Sequence, residues 1–205
     1  MMKRRTVILA NGAFPRRGSP AYRLLAEAGR VVCCDGAADA YRLRFRREPA
    51  AVVGDCDSVR GRFANVVRVA DQDTNDLEKA VAYCRERKWR SPVIVGATGK
   101  RDDHSLGNIF RAFACGLEIV TDDGRFLPVD GRRTLSVGKG AAVSVFAPDR
   151  GTRMTSRGLE WPLDGVVFDT LFCATLNRAT CGRIALTSDR PVYVYHTFWK
   201  EEKAS

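Results

Sequence analysis

Through its first 120 residues the chain alternates short, largely apolar runs with stretches of helical periodicity, and few folds accept that pattern. The runs are residues 7–10, 31–34, 51–53, 66–69, 92–95 and 117–120. Strands this continuously apolar, broken only by Arg68 and Glu118, and separated by amphipathic helices, indicate a parallel sheet covered on both faces. Right-handed crossovers then bring every strand's C-terminal end to one edge, where such sheets bind ligands. The run at 66–69 is read as a fourth buried strand like the rest. Helix signals fit between the runs: Ser19 as cap, Pro20 in the first turn and Gly29 as stop. A second helix carries Ala40, Tyr41 and Leu43. A third begins at the capping-box pair Asn75 and Glu78 and buries Leu77, Ala80, Val81 and Cys84. A fourth takes Asp103 as its cap, buries Leu106, Ile109, Phe110 and Phe113, and ends at Gly116.

After about residue 124 the helical period disappears. Short apolar runs at 135–137, 142–146, 166–168, 184–186 and 192–195 are separated by Gly, Pro and Asp. That texture predicts an antiparallel β domain, a sandwich or partial barrel. The expected organisation is an α/β domain over residues 1–124 and a smaller β-sandwich domain over 125–205. No apolar run approaches the roughly 20 residues of a membrane span. Residues 6–10 follow a basic cluster, are too short for a signal peptide, and fit a first strand.

The polar strand ends carry the chemistry. They are Asn11-Gly12, Asp35-Gly36, Asp55 with Asp57, Asp71 with Asp73 and Asp76, and the loop from Gly99 to His104. If the sheet is parallel, all of them line one crevice. One acid before a helix N-terminus complements its dipole. Several acids on adjoining loops repel one another and call for a cation, for which Mg²⁺ with a phosphate ligand is suited. Asp55-Cys56-Asp57 read alone is equally well a polar Asx turn. Gly12, Gly36 and Gly54 are either plain turns or points where backbone N–H groups approach a phosphate. No Walker-type G-x-x-x-x-G-K-[ST] occurs. The loop before the fourth helix is glycine-rich and basic, so Arg101 is placed to clamp a phosphate. His104 is a second contact or a structural helix-start residue. Trp161, beside Pro162, either packs a hairpin or stacks on a flat cationic ring.

The net charge is +10. Arginines are spread along the chain with no aromatic-interleaved stripe, which favours a solvated basic surface over a nucleic-acid reader. Such a field also gathers an anionic nucleotide. The seven cysteines are odd in number, lack a C-x-x-C pair and lie partly within apolar runs, as expected of small core residues in a reducing cytoplasm.

Four segments together resemble the motifs of the thiamine pyrophosphokinase family in order and spacing. They are residues 35–38 (Asp-Gly-Ala-Ala), 54–58 (Gly-Asp-Cys-Asp-Ser), 71–79 (Asp-Gln-Asp-Thr-Asn-Asp-Leu-Glu-Lys) and 99–104 (Gly-Lys-Arg-Asp-Asp-His). The similarity covers roughly residues 6–121 and is weaker beyond, through residues 158–163 and 174–177. It implies a Rossmann-like α/β nucleotide domain followed by a β-sandwich domain. It implies a homodimer with active sites between unlike domains of the two copies. The implied reaction is ATP + thiamine → AMP + thiamine diphosphate with Mg²⁺. By the family pattern Asp55, Asp57, Asp71 and Asp73 hold the metal. Asp35, Gly36, Gln72, Thr74, Lys79, Arg101 and His104 line the ATP side. Trp161, Thr175 and Asn177 face thiamine. Asp73 or Asp76 would accept the hydroxyl proton.

Two departures stand out. Leu176-Asn177-Arg178 replaces a Ser-Asn pattern, and Cys56 stands where an aromatic is common. The first leaves open a related pyrophosphotransferase or hydrolase with another acceptor. A non-catalytic nucleotide- or nucleic-acid-binding protein is the third reading.

Overall fold

A computed structural model of the chain describes residues 5–71 and 73–198. The chain is mixed α/β and divides into two compact units, Met1–Asp122 and Asp123–Ser205.

In the first unit the elements are β1 (Thr6–Leu9), α1 (Pro20–Glu27), β2 (Arg30–Cys34), α2 (Ala37–Phe45), β3 (Ala51–Gly54), β4 (Val66–Arg68), α3 (Asp76–Glu86), β5 (Val93–Val95), α4 (Asp102–Ala114) and β6 (Glu118–Val120). The strands lie in the order β6-β5-β1-β2-β3-β4 and every pair is parallel. Central β1 sets the register, with Ile8 opposite Val32 on one side and Ile94 on the other. Its four residues are all buried, as continuous apolarity requires. Each fully buried Ile or Val contributes roughly 1.5–3 kcal/mol over exposure.

The helix starts follow the expected caps. The Ser19 hydroxyl accepts from Tyr22 N–H at 3.1 Å, with Pro20 in the first turn. At α3 the Asn75 carboxamide accepts from Glu78 N–H at 3.0 Å, and the Glu78 carboxylate accepts from Asn75 N–H at 3.1 Å.

Three sequence expectations change here. The strand at 66–69 is not buried: β4 is three residues long, lies at the sheet edge and leaves Val66 exposed, because only β3 flanks it. The fourth helix does not bury its apolar stripe. Only Ala112 is fully buried, and Leu106 is 58% exposed. Ile109 and Phe113 are half-buried, and polar contacts to neighbouring elements are added by Asn108 and Arg111. Asp103 does not cap that helix; the cap position is Arg101, with no side-chain cap bond.

The second unit contains β7 (Gly124–Ser136), β8 (Ala142–Phe146), β9 (Thr152–Arg157), β10 (Val167–Phe168), β11 (Ala174–Arg178) and β12 (Arg183–Thr197). All six named strands pair antiparallel. β12 runs beside β7 along its whole length, and on its other side meets β9 at residues 185–188 and β8 at residues 193–196. The register shifts between Ser188 and Val192, so the expected runs 184–186 and 192–195 are one bulged strand. Val129, Val143, Phe168, Ile184, Leu186 and Val194 are at the centre of its core. No helix of the described residues is long and apolar enough to cross a membrane.

Candidate active site

In the first unit the loops following β1, β2, β3 and β5 and the start of α3 meet at one end of the sheet, and three glycines make the approach possible. Gly12 N–H donates to Gly96 O at 2.8 Å. A Cβ on Gly12 would fall 2.4 Å from Gly96 O and 2.5 Å from Thr98 O, so the β1 and β5 loops touch backbone to backbone. A Cβ on Gly36 would stand 3.3 Å from Ser58 Cβ and 3.5 Å from Asn11 Nδ2. One on Gly54 would stand 3.0 Å from Asp76 Oδ1 and 3.3 Å from Asp35 Cβ. Gly54 thereby opens the space in which two acids from different loops approach β3.

Asp35, Asp55 and Asp76 each bring a carboxylate oxygen within 4.8 Å of the other two. Asp35 is 5% exposed and adopts a left-handed conformation, φ 43°, which a non-glycine residue takes up only where its surroundings enforce it. Its carboxylate accepts from Ser58 N–H at 3.3 Å. Burial first, and the Asp55 charge second, raise the Asp76 carboxyl above its usual range; Lys79 opposes them. Lys79, itself 7% exposed, places Nζ 3.6 Å from Asp76 Oδ1. One buried ammonium does not neutralise three carboxylates. Hard oxygen donors at this spacing suit a divalent cation such as Mg²⁺, so the residues fit that group.

Asp35 and Asp76 also line a cavity of about 380 Å³ with Asn11, Ser58, Asn75 and Asn108, and its basic side carries Lys100, Arg101 and His104. Lys100 Nζ donates to Asn11 Oδ1 at 3.0 Å, fastening the β5 loop to the β1 loop again. Arg101 is turned to Asp103, with Nε 3.1 Å from Oδ1. That pair lowers the Asp103 carboxyl to about 2 and raises the guanidinium.

The remaining sequence candidates are less gathered. Asp57 is exposed, and its N–H donates to Asp55 Oδ1 at 3.3 Å. Asp71, Asp73 and Thr74 are exposed and bond one another: Asp71 accepts from Asp73 N–H at 2.9 Å and from the Thr74 hydroxyl. Those bonds, the hydroxyl's first, lower the Asp71 carboxyl. Gln72 lies outside the described residues. The structure therefore joins Asp35, an expected ATP residue, and Asp76 to Asp55. Asp57, Asp71 and Asp73 stand on the exposed loops beside them.

In the second unit Trp161 is 54% exposed and Asn177 is buried. Trp161 N–H donates to Asn177 Oδ1 at 3.2 Å. Thr175 is half-buried, with its hydroxyl donating to Phe172 O at 3.1 Å. Leu176, between them, is 86% exposed with φ 64°, at the bulge in the β11–β8 ladder.

Asn108 and Ser105 line the cavity and were not singled out from the sequence. Asn108 stands four residues after His104, the spacing that puts two side chains on one helix face, and that signal was available.

Residues 21–120 match a family model described as thiamin pyrophosphokinase, catalytic domain, and residues 124–195 match one described as thiamin pyrophosphokinase, substrate-binding domain. The chain belongs to the thiamin pyrophosphokinase family. A rice protein named thiamine pyrophosphokinase 1 is 27% identical over 199 residues, covering 77% of this chain and 73% of that protein. An Arabidopsis thaliana protein of the same name is 27% identical over 151 residues, 61% of this chain and 56% of its own length. The solved structure of yeast thiamin pyrophosphokinase superposes with a TM-score of 0.78 over 97% of this chain and 87% of that one. At 12% identity this likeness shows a common fold.

Proposed function

We propose that the chain transfers the pyrophosphoryl group of ATP to the hydroxyl of thiamine, giving thiamine diphosphate and AMP. The observation that carries this reading is the mutual approach of Asp35, Asp55 and Asp76 beside a cavity that Asp35 and Asp76 line opposite a basic wall, within the segment matched as a catalytic domain. The α/β domain, read as Rossmann-like over residues 1–124, holds ATP. The second, read as a β-sandwich over residues 125–205, supplies thiamine contacts and a homodimer interface, with each site shared between two copies. The buried thiols of Cys33, Cys34, Cys56 and Cys84 accord with a cytoplasmic enzyme.

The thiamine oxygen forms a bond to the β-phosphorus as the bond from that phosphorus to the α,β-bridging oxygen breaks, and AMP leaves with the bridging oxygen. Transfers of this kind depend on positioning and charge neutralisation more than on covalent help. Asp35, Asp55 and Asp76 would hold Mg²⁺, with Asp57, Asp71 and Asp73 next to them on the loops. The ion, when bound, would neutralise phosphate charge. Gly12, in the cavity wall, lets the β1 and β5 loops close on each other beside the phosphate chain, and Gly36 belongs to the same ATP side. Gln72, Thr74 and Lys79 belong to the ATP side with Arg101 and His104, and Arg101 exchanges Asp103 for a phosphate oxygen. Asp76 accepts the hydroxyl proton in this reading; its place in the cavity wall favours it over exposed Asp73. Trp161, Thr175 and Asn177 face thiamine.

Incubation with ATP, Mg²⁺ and thiamine tests the reading. Equal amounts of AMP and thiamine diphosphate are expected. AMP or ADP formed without dependence on thiamine would replace it with hydrolysis or another acceptor, for which the exposed Leu176 is the motive. No turnover, with salt-sensitive retention of RNA or DNA, would replace it with nucleic-acid binding.

A further inference from the structure

Asn108 uses both ends of its carboxamide on two different loops. Its Nδ2 donates to Ala97 O, just past β5, at 3.0 Å, and its Oδ1 accepts from Asn75 Nδ2 at 3.2 Å. A carbonyl can only accept, so the amide has one orientation in which both bonds form. Asn75 is the N-cap of α3, and the next residue, Asp76, is the α3 member of the acid group. One turn along α4, Arg111 Nε donates to Glu78 Oε2 at 2.8 Å, the same oxygen that closes the capping box. The α3 N-terminus is thus held from α4 at two points, and only the Asn108 point also reaches the β5 loop and borders the cavity.

We propose that Asn108 is a positioning residue for the pyrophosphoryl transfer: it locks the cap of α3 to the end of β5, fixing Asp76 relative to the basic loop that follows β5. The inference rests on the reaction proposed above. The two loops carry opposite charge into one cavity. The Asp76 carboxylate opens α3 behind one loop and Lys100 and Arg101 lie on the other, so sliding between them changes the distance between the acid group and the phosphate contacts. A misplacement of about 1 Å costs on the order of 10²-fold in rate. A residue that joins the loops without touching the reacting atoms should therefore act on turnover far more than on substrate affinity.

The test uses Asn108→Ala, Asn108→Asp and Asn75→Ser. Asn108→Asp keeps an acceptor for Asn75 but sets a carboxylate against Ala97 O. Asn75→Ser keeps a capping hydroxyl for Glu78 N–H and lacks the amide that reaches Asn108. Hydrogen–deuterium exchange on the intact protein, without substrates, is expected to show faster exchange at the α3 start in both Asn108 variants, with α1 and β1 unchanged. Unchanged exchange at α3 would overturn the lock whether or not the protein turns over thiamine. In steady-state kinetics kcat should fall about 10²-fold with both KM values within about twofold. The Asn75→Ser/Asn108→Ala double variant should be no slower than the slower single variant, since both remove one link. Multiplying losses, or a rise confined to the ATP KM, would mean that Asn108 contacts substrate directly and would overturn the positioning role. A wild-type protein without thiamine-dependent AMP release would instead defeat the reaction on which the proposal rests, leaving the exchange result to stand by itself.

Discussion

Asn177 and Trp161 are joined at both ends of one carboxamide: Trp161 N–H donates to Asn177 Oδ1 at 3.2 Å, and Asn177 Nδ2 donates to Trp161 O at 2.7 Å. The indole is left 54% exposed on a backbone fixed by a buried side chain. A packing tryptophan would be covered; this one is held out. Trp161→Ala is expected to raise the thiamine KM about tenfold or more while the ATP KM changes less than about twofold, a loss of about 1.4 kcal/mol in binding. Equal rises for both substrates would make Trp161 a packing residue.

The acid group predicts unequal roles among the carboxylates. Asp55→Asn and Asp76→Asn should each lower kcat about 10³-fold, roughly 4 kcal/mol of transition-state stabilisation, with circular dichroism unchanged. Asp73→Asn, at an exposed position where the residue's N–H already bonds Asp71, should lose less, about tenfold. The motif-based assignment ranks Asp73 with the metal ligands, so an equally severe Asp73→Asn would restore that assignment.

Gly12→Ala would set a methyl 2.4 Å from one backbone oxygen and 2.5 Å from another. Backbone cannot swing aside as a side chain can, so the β1 and β5 loops must part. A destabilisation of about 2–3 kcal/mol is expected from urea unfolding, at the upper end of overpacking costs. Gly18, where an added Cβ meets nothing within 4 Å, is the control for space, although its φ of 82° adds backbone strain.

The Arg101–Asp103 pair predicts a pH dependence. Its bonds hold the Asp103 carboxyl at about 2, below the usual 3.8, so the folded state binds this proton less readily than the unfolded chain. The stabilisation is therefore fully present above about 3.8 and is lost as pH falls through about 2. Both side chains are more than 60% exposed, so the effect is small and screened by salt. Asp103→Asn should remove this part of the acid limb in urea titrations at low ionic strength and change nothing at neutral-pH high salt. An unaltered acid limb at low salt would refute the pair's contribution.

Uninterrupted apolarity announced β1, β2, β3 and β5, whose two faces are dry. At residues 66–69 the run is broken by Arg68, which is exposed on the edge strand, and that charge was the available sign that the strand is not buried. At α4 the helical period was visible, but not the polar ties of Asn108 and Arg111, whose partners lie elsewhere in sequence. β9 carried no apolar run at all: Thr152, Met154 and Ser156 are its buried residues, and two of the three are hydroxylic. The strand-end acids were legible one by one. Which three of them meet was not, because that depends on the left-handed turn at Asp35 and the missing side chain at Gly54, neither of which has a periodic signature.

The fifteen-residue β12 is neighbour to three other strands of its unit, and it is also the last of them to leave the ribosome. Until it emerges, β7, β8 and β9 have no common partner, although about 60 residues separate the beginning of β7 from that of β12. The second unit should therefore mature in one late step during synthesis, whereas the first can close as soon as β6 has been made.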